Sequence, residues 1–231
     1  MSAVDTDARP VAEYRVSALL TALRVMWRSS GPCLAAIVVT ALIQAGLMYL
    51  NTPSGFTPGF LLAFAVSAIA ALGLYAVLSA GALRAVDAGG QSVLARVRAG
   101  LGHFTVWTAL QWLVILAVST VNVLLIPLVA LLTPYLPLAA MDRRANALGA
   151  NFRAIGQRPG RWAVTGLLLL IGGVVLFLLS IANTLFVQGT PAALFFWLGI
   201  GLVAWWLLTA WALIWRGTPT GQARRAETAP A

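Results

Sequence analysis

The sequence predicts an all-α membrane protein: six transmembrane helices in three hairpins, with an N-terminal amphipathic helix and short cytoplasmic loop helices. Three observations carry this. Only 9% of the 231 residues are charged, 61% are hydrophobic, and the mean hydropathy is +0.91, whereas soluble domains carry roughly 25% charged residues. The apolar residues fall in long uncharged runs that fit spans of about 20 residues. The fifteen arginines sit only in alternate connections. Four precede span one, three lie between spans two and three, five between four and five, and three follow span six. The other turns carry none. An arginine at mid-membrane costs roughly 2.5–3.5 kcal/mol on insertion scales, and the positive-inside bias places both termini in the cytoplasm.

Residues 1–12 read as a disordered tail. Residues 13–30 read as an amphipathic interfacial helix. Val16, Leu19, Leu20, Leu23, Met26 and Trp27 recur at helical spacing, with Glu13, Ser17, Thr21, Arg24 and Arg28 opposite. Such a helix lies in the headgroup plane or packs on the protein's own surface. Ser29-Ser30-Gly31-Pro32 is expected to break it and open the six-helix domain, residues 31–216.

Span one is predicted over 33–50 and span two over 59–83. In span two, Ala63, Ser67, Ala71, Tyr75 and Ser79 form an i+4 stripe, mostly of small residues, that admits a close neighbour. Ser92 is expected to cap a short loop helix with Val93, Leu94, Val97 and Leu101 on one side. The uncharged run 104–141 has 38 residues. A single helix would extend it by about 57 Å, well beyond a hydrocarbon core of about 30 Å. It must therefore fold back, and the turn is placed at 119–122. Span four holds Pro127, Pro134 and Pro137, whose freed carbonyls require partners inside the bundle. The charged island 141–162 is helical in its first part. Asp142 is read as its N-cap, and Leu148, Phe152 and Ile155 as sharing one face. Spans five and six are predicted over 162–186 and 192–215, and residues 217–231 as a disordered tail. The motifs ALR at 22–24, RVR at 96–98 and NFR at 151–153 give a weak threefold repeat, each shortly before a span.

No ionisable side chain falls within a predicted span, which argues against proton relays and intramembrane proteolysis. The single His103 cannot form a metal site, and Cys33 has no partner for a disulfide. No Ser or Thr has a recognisable base beside it, and no nucleotide-binding fingerprint is present. The expectation is a protein that is not an enzyme, with no catalytic, cofactor-binding or metal-binding residues and no cofactor. The net charge of +9 points to anionic headgroups rather than nucleic acid, for which no groove-reading element exists. Gln44, Gln111, Asn122 and Asn183 read as interhelical hydrogen-bonding groups. Trp27, Trp107, Trp162 and Trp215 read as a cytoplasmic aromatic belt with Trp197 on the outer side. Trp205, Trp206 and Trp211 lie deeper and read as packing residues.

The segment GALRAVDAGGQSVLARVRAGLG at 81–102, a proline in span four (Pro127 or Pro134) and MDRRANALGANFRAIGQRPGRW at 141–162 together resemble a group of six-span bacterial inner-membrane proteins. That group is related to the membrane domain of some glycerophosphodiester phosphodiesterases. Asp142, Ala147, Leu148, Arg153 and Gly160-Arg161-Trp162 occupy its characteristic places, while Ala154 stands where the group has serine. The resemblance covers residues 80–170 and implies a membrane anchor, scaffold or accessory subunit. It transfers no catalytic residue. The leading expectation is a non-enzymatic scaffold contacting anionic lipid or a protein partner through its arginine-rich cytoplasmic face. The alternative is the permease subunit of an ATP-driven exporter, docking on an ATPase subunit near Arg96 and Arg98. A passive lipid or solute carrier comes third.

Overall fold

The computed structural model describes residues 13–49, 57–87, 91–122, 125–186 and 189–217. Both tails read as disordered lie outside them, apart from Gly217. Every regular element among the described residues is helical. Five helices are long and apolar enough to cross a bilayer, which makes this a multi-pass membrane protein.

Helix α1 (Glu13–Met26) does not stop where a break was predicted. It tightens into a 3₁₀ turn at Trp27–Ser29 and continues as α2 (Ser30–Tyr49). Met26 and Ser30 on either side keep helical dihedrals, φ −55°, ψ −34° and φ −60°, ψ −46°. Pro32 falls in the first turn of α2, where its missing N–H costs little, and the tighter turn absorbs the ring. The boundary at residue 30 is therefore no turn in the chain. Of the two readings of α1, packing on the protein's own surface is seen along one side. Ala22, Val25 and Met26 are buried, while Leu20, Leu23 and Trp27 remain exposed, and the helix packs against α9 and α3.

Helix α3 (Pro58–Val86) is capped by Thr57, whose hydroxyl accepts the Phe60 N–H at 3.2 Å, with Pro58 opening its first turn. Helix α4 (Val93–Val121) begins at the predicted cap, Ser92 accepting from Ala95 N at 3.2 Å. It is not a short loop helix, however. No breaker separates 93–101 from span three, so one helix runs through both. Leu94 and Leu101 are exposed although Val93 is buried, so the predicted shared face is only half covered. Of the residues 119–122 where the turn was placed, 119–121 still belong to α4 and Asn122 closes it.

The expected fourth span is not one helix. The chain forms α5 (Ile126–Leu132) and α6 (Leu136–Met141), divided at residues 133–135. Each piece opens on a proline in its first turn, Pro127 and Pro137, where proline is tolerated. Pro134 sits in the gap, where it has no N–H to carry the ladder across and its ring crowds the preceding turn. Where six transmembrane helices in three hairpins were expected, the described residues form five long helices plus one broken segment.

Helices α7 (Ala147–Gln157), α8 (Pro159–Phe186) and α9 (Thr190–Arg216) complete the chain. The three predicted repeat units are not equivalent. The first passes through a 3₁₀ turn, the second is a single helix, and Arg158 separates α7 from α8 in the third.

Helices α2, α3 and α9 pack on one another. α4 lies against α3 and α6, and α8 against α9. Lipid is as apolar as leucine, so close approach and interhelical hydrogen bonds must hold such a bundle together. A Cβ at Gly201 of α9 would come within 2.7 Å of Ile37 Cγ2 on α2, and one at Gly81 of α3 would overlap Cys33 Sγ. Gln44 and Ser67 bind α2 to α3 reciprocally. Ser67 Oγ donates to Gln44 Oε1 at 3.0 Å, and Gln44 Nε2 donates to Ser67 O at 3.3 Å. Ser67 belongs to the predicted small stripe.

Packing is concentrated at one end. Burial in α3 is confined to the stretch from Ala76 to Ala85, whereas Leu61, Leu62, Phe64 and Ile69 are exposed. All six residues of α6 are buried, as are Trp205, Leu208, Trp211 and Trp215 of α9.

Candidate functional site

The packed end is also the charged end. Asp87 closes α3 and Asp142 closes α6. Each carboxylate faces the negative end of a helix dipole and needs a cation to offset it. Arg216, in the last turn of α9, supplies one to both. Its guanidinium forks onto Asp142, Nη1 to Oδ2 and Nη2 to Oδ1, each at 3.1 Å, and Nη2 also donates to Asp87 Oδ2 at 2.6 Å. Arg96 Nη1 reaches Asp87 Oδ2 at 3.1 Å, and Arg144 Nε lies 3.4 Å from Asp142 Oδ2. The side chains of Arg216 and Asp142 are only 7% exposed. Three arginines and two aspartates thus join the ends of α3, α6 and α9 to the start of α4. A bidentate arginine is the group suited to a desolvated carboxylate.

This corrects two sequence readings. Asp142 is not the N-cap of the island helix. It closes the preceding helix, and Asn146 caps α7, accepting from Gly149 N at 2.7 Å. Arg216, placed just past span six among the arginines that follow it, lies in the last turn of α9 and is the centre of the network. The turn between α6 and α7 explains the first shift. Arg143 N donates to Ala140 O and Arg144 N to Ala139 O, both at 3.0 Å, and Arg143 has φ 58°. This is a Schellman closure with arginine where glycine is usual. The left-handed conformation costs an L-residue about 1–2 kcal/mol, and glycine returns part of that gain as unfolded-state entropy. Arg143→Gly should therefore raise stability by up to about 1 kcal/mol, read as a higher denaturation midpoint in detergent. Arg143→Val should lower it.

At the opposite end of α6 from Asp142 lies the break between α5 and α6. Its exposed backbone groups are met by side chains from three other helices, as a dry interior demands. Trp162 Nε1 on α8 donates to Leu131 O at 2.9 Å. Asn151 on α7, fully buried, donates through Nδ2 to Leu132 O at 2.8 Å and accepts Tyr135 N at Oδ1, 2.9 Å. Gln111 on α4 donates to Thr133 Oγ1 at 2.7 Å. The Tyr135 hydroxyl lies 2.8 Å from Thr165 Oγ1, and its ring packs 5.9 Å from that of Trp215.

Gln111 and Gln44 serve as interhelical partners, as predicted, and Asn183 Nδ2 donates to Ala192 O at 2.7 Å between α8 and α9. His103 Nε2 donates to Arg144 O at 2.7 Å and so fastens α4 to the α6–α7 turn. Among the described residues no cluster of three or more His, Cys, Asp or Glu could hold a metal. Trp205 and Trp211 are buried as packing residues, but Trp215 is fully buried and does not belong to an interfacial belt. The sequence reading passed over Asn151 and Tyr135. The one available signal for Asn151 was an amide at the centre of a small-residue face, Ala147, Ala150 and Ala154, in a helix otherwise read from its larger apolar residues.

The outer surface of this end is different. Arg24 and Arg28 are exposed beside Leu20, Leu23 and Trp27. Arg98 is exposed beside Leu94 and Leu101, and Arg153 beside Phe152. Phe152 therefore does not share the covered face of α7 with Leu148 and Ile155, as predicted, but points away from the bundle. Compared with protein-family models, with curated proteins and with solved structures, the chain matches none.

Proposed function

We propose that the protein is a non-enzymatic scaffold of a bacterial inner membrane. In this reading its charged end is cytoplasmic and engages anionic phospholipid headgroups. The observation that carries it is the pairing of exposed arginine with exposed apolar side chains on α1, on the start of α4 and on α7. Apolar groups sink into the acyl boundary while guanidinium groups meet phosphate, and each basic residue near an anionic surface contributes about 1 kcal/mol. Among the described residues both aspartates, Asp87 and Asp142, are engaged inside the network. The resemblance of residues 80–170 to anchor-type membrane domains is in keeping with this role.

The test is native mass spectrometry of the full chain, purified with mixed phosphatidylcholine and phosphatidylglycerol. Selective retention of phosphatidylglycerol is expected, and it should fall by about a hundredfold when Arg24, Arg98 and Arg153 are all changed to glutamine, each removing about 1 kcal/mol. Equal retention of the two lipids by the unmodified protein would refute the proposal.

A further inference from the structure

Helix α7 connects the two parts of the charged end. One face is built from Ala147, Ala150, Asn151 and Ala154, all buried, and packs on α6. The other presents Phe152 and Arg153 outward. Its length, 11 residues, is below the roughly 12–15 at which an isolated helix holds together in water, so its order depends on what covers its faces. Through Asn151 that order reaches the α5–α6 break. The same amide donates to the last residue of α5, Leu132, and accepts from the backbone N–H of Tyr135 at the entry to α6. If α7 moves off, the Leu132 carbonyl and the buried Tyr135 N–H lose their partner together.

We propose that α7 is a lipid-responsive clamp on the broken intramembrane segment. Anionic headgroups at Arg153, with acyl chains against Phe152, hold α7 on α6, and Asn151 then keeps the break closed. When the outer face is bare, α7 lifts, the amide leaves both backbone groups, and the Leu132–Tyr135 region loosens. Lipid binding and closure of the break thus favour one another, as any two events that order the same element must. This rests on the lipid-binding reading and adds regulation to it.

Hydrogen exchange on the full chain in nanodiscs tests the clamp, comparing phosphatidylcholine alone with phosphatidylcholine plus phosphatidylglycerol. Phosphatidylglycerol should slow exchange by about tenfold, within the range of ordinary site-to-site coupling, in peptides covering both 130–141 and 147–157. Arg153→Gln combined with Phe152→Ser should abolish the lipid effect on both, and Asn151→Leu should abolish it over 130–141. Protection of 147–157 with no change over 130–141 would overturn the clamp and leave lipid binding standing. No change in either peptide would also overturn the clamp, and the lipid retention measured by native mass spectrometry then decides separately whether lipid binding stands.

Discussion

Replacing Arg216 by methionine will cost the protein about 3–5 kcal/mol, the range measured when one partner of a buried ion pair is removed. Two carboxylates are at stake. Asp142 loses its fork and Asp87 its shortest contact, both at helix ends where the backbone dipole already opposes negative charge. Arg96 and Arg144 remain but meet the carboxylates at 3.1 and 3.4 Å with one nitrogen each. Arg216→Lys keeps the charge and loses the fork, so it should fall between wild type and methionine. Asp142→Leu combined with Arg216→Met should recover part of the loss, because two uncharged partners leave less unpaired charge than one. Arg98→Gln, on the exposed side of the same end, should change stability by less than about 0.5 kcal/mol. Denaturant titration in a mild detergent, followed by tryptophan fluorescence, reads all four. A wild-type midpoint for Arg216→Met would show that the network contributes nothing to stability.

Asn151→Leu is the second large effect. It deprives Leu132 O and the buried Tyr135 N of their partner, at about 1–3 kcal/mol for a buried group left unmade. The replacement keeps the branching and the number of heavy atoms, but its two methyl groups are bulkier, so some overpacking at this buried site adds to the lost hydrogen bonds. Asn151→Asp separates the two halves of the role. It preserves an acceptor for Tyr135 N, removes the donor to Leu132 O, and adds a charge that nothing among the described contacts of Asn151 offsets. Gln111→Leu should cost less, since a single interhelical hydrogen bond contributes about 0.6–2 kcal/mol. The expected order of unfolding midpoints is wild type, then Gln111→Leu, then Asn151→Leu. Reversal of the last two would mean that Gln111, not Asn151, chiefly holds the break.

The long helices were legible residue by residue. Hydropathy and length locate α3, α8 and α9 to within a few positions, because each residue meets the bilayer on its own account. Ser92 announces its cap for the same local reason. The prolines at 127, 134 and 137 marked the irregular segment and the need for outside partners, but not which partners. Trp162, Asn151 and Gln111 come from three helices whose register depends on how the bundle packs. The break expected at residues 29–32 failed because a proline in a first helical turn and a proline that ends a helix look alike in sequence. Asp142 was misassigned because a short polar side chain can serve at either end of a helix, and the left-handed Arg143 that settles the matter carries no glycine to reveal it.

By itself, then, the sequence determined the membrane class, the helical elements and the segregation of arginine into alternate connections, all consequences of the cost of placing single residues in hydrocarbon. Only the tertiary structure decided which of those arginines are spent inside the protein and which are left on its surface. Arg216 is 74 positions from Asp142 and 129 from Asp87. A charge buried at the meeting point of four helix ends finds its counter-charge through space, and no spacing along the chain encodes that distance.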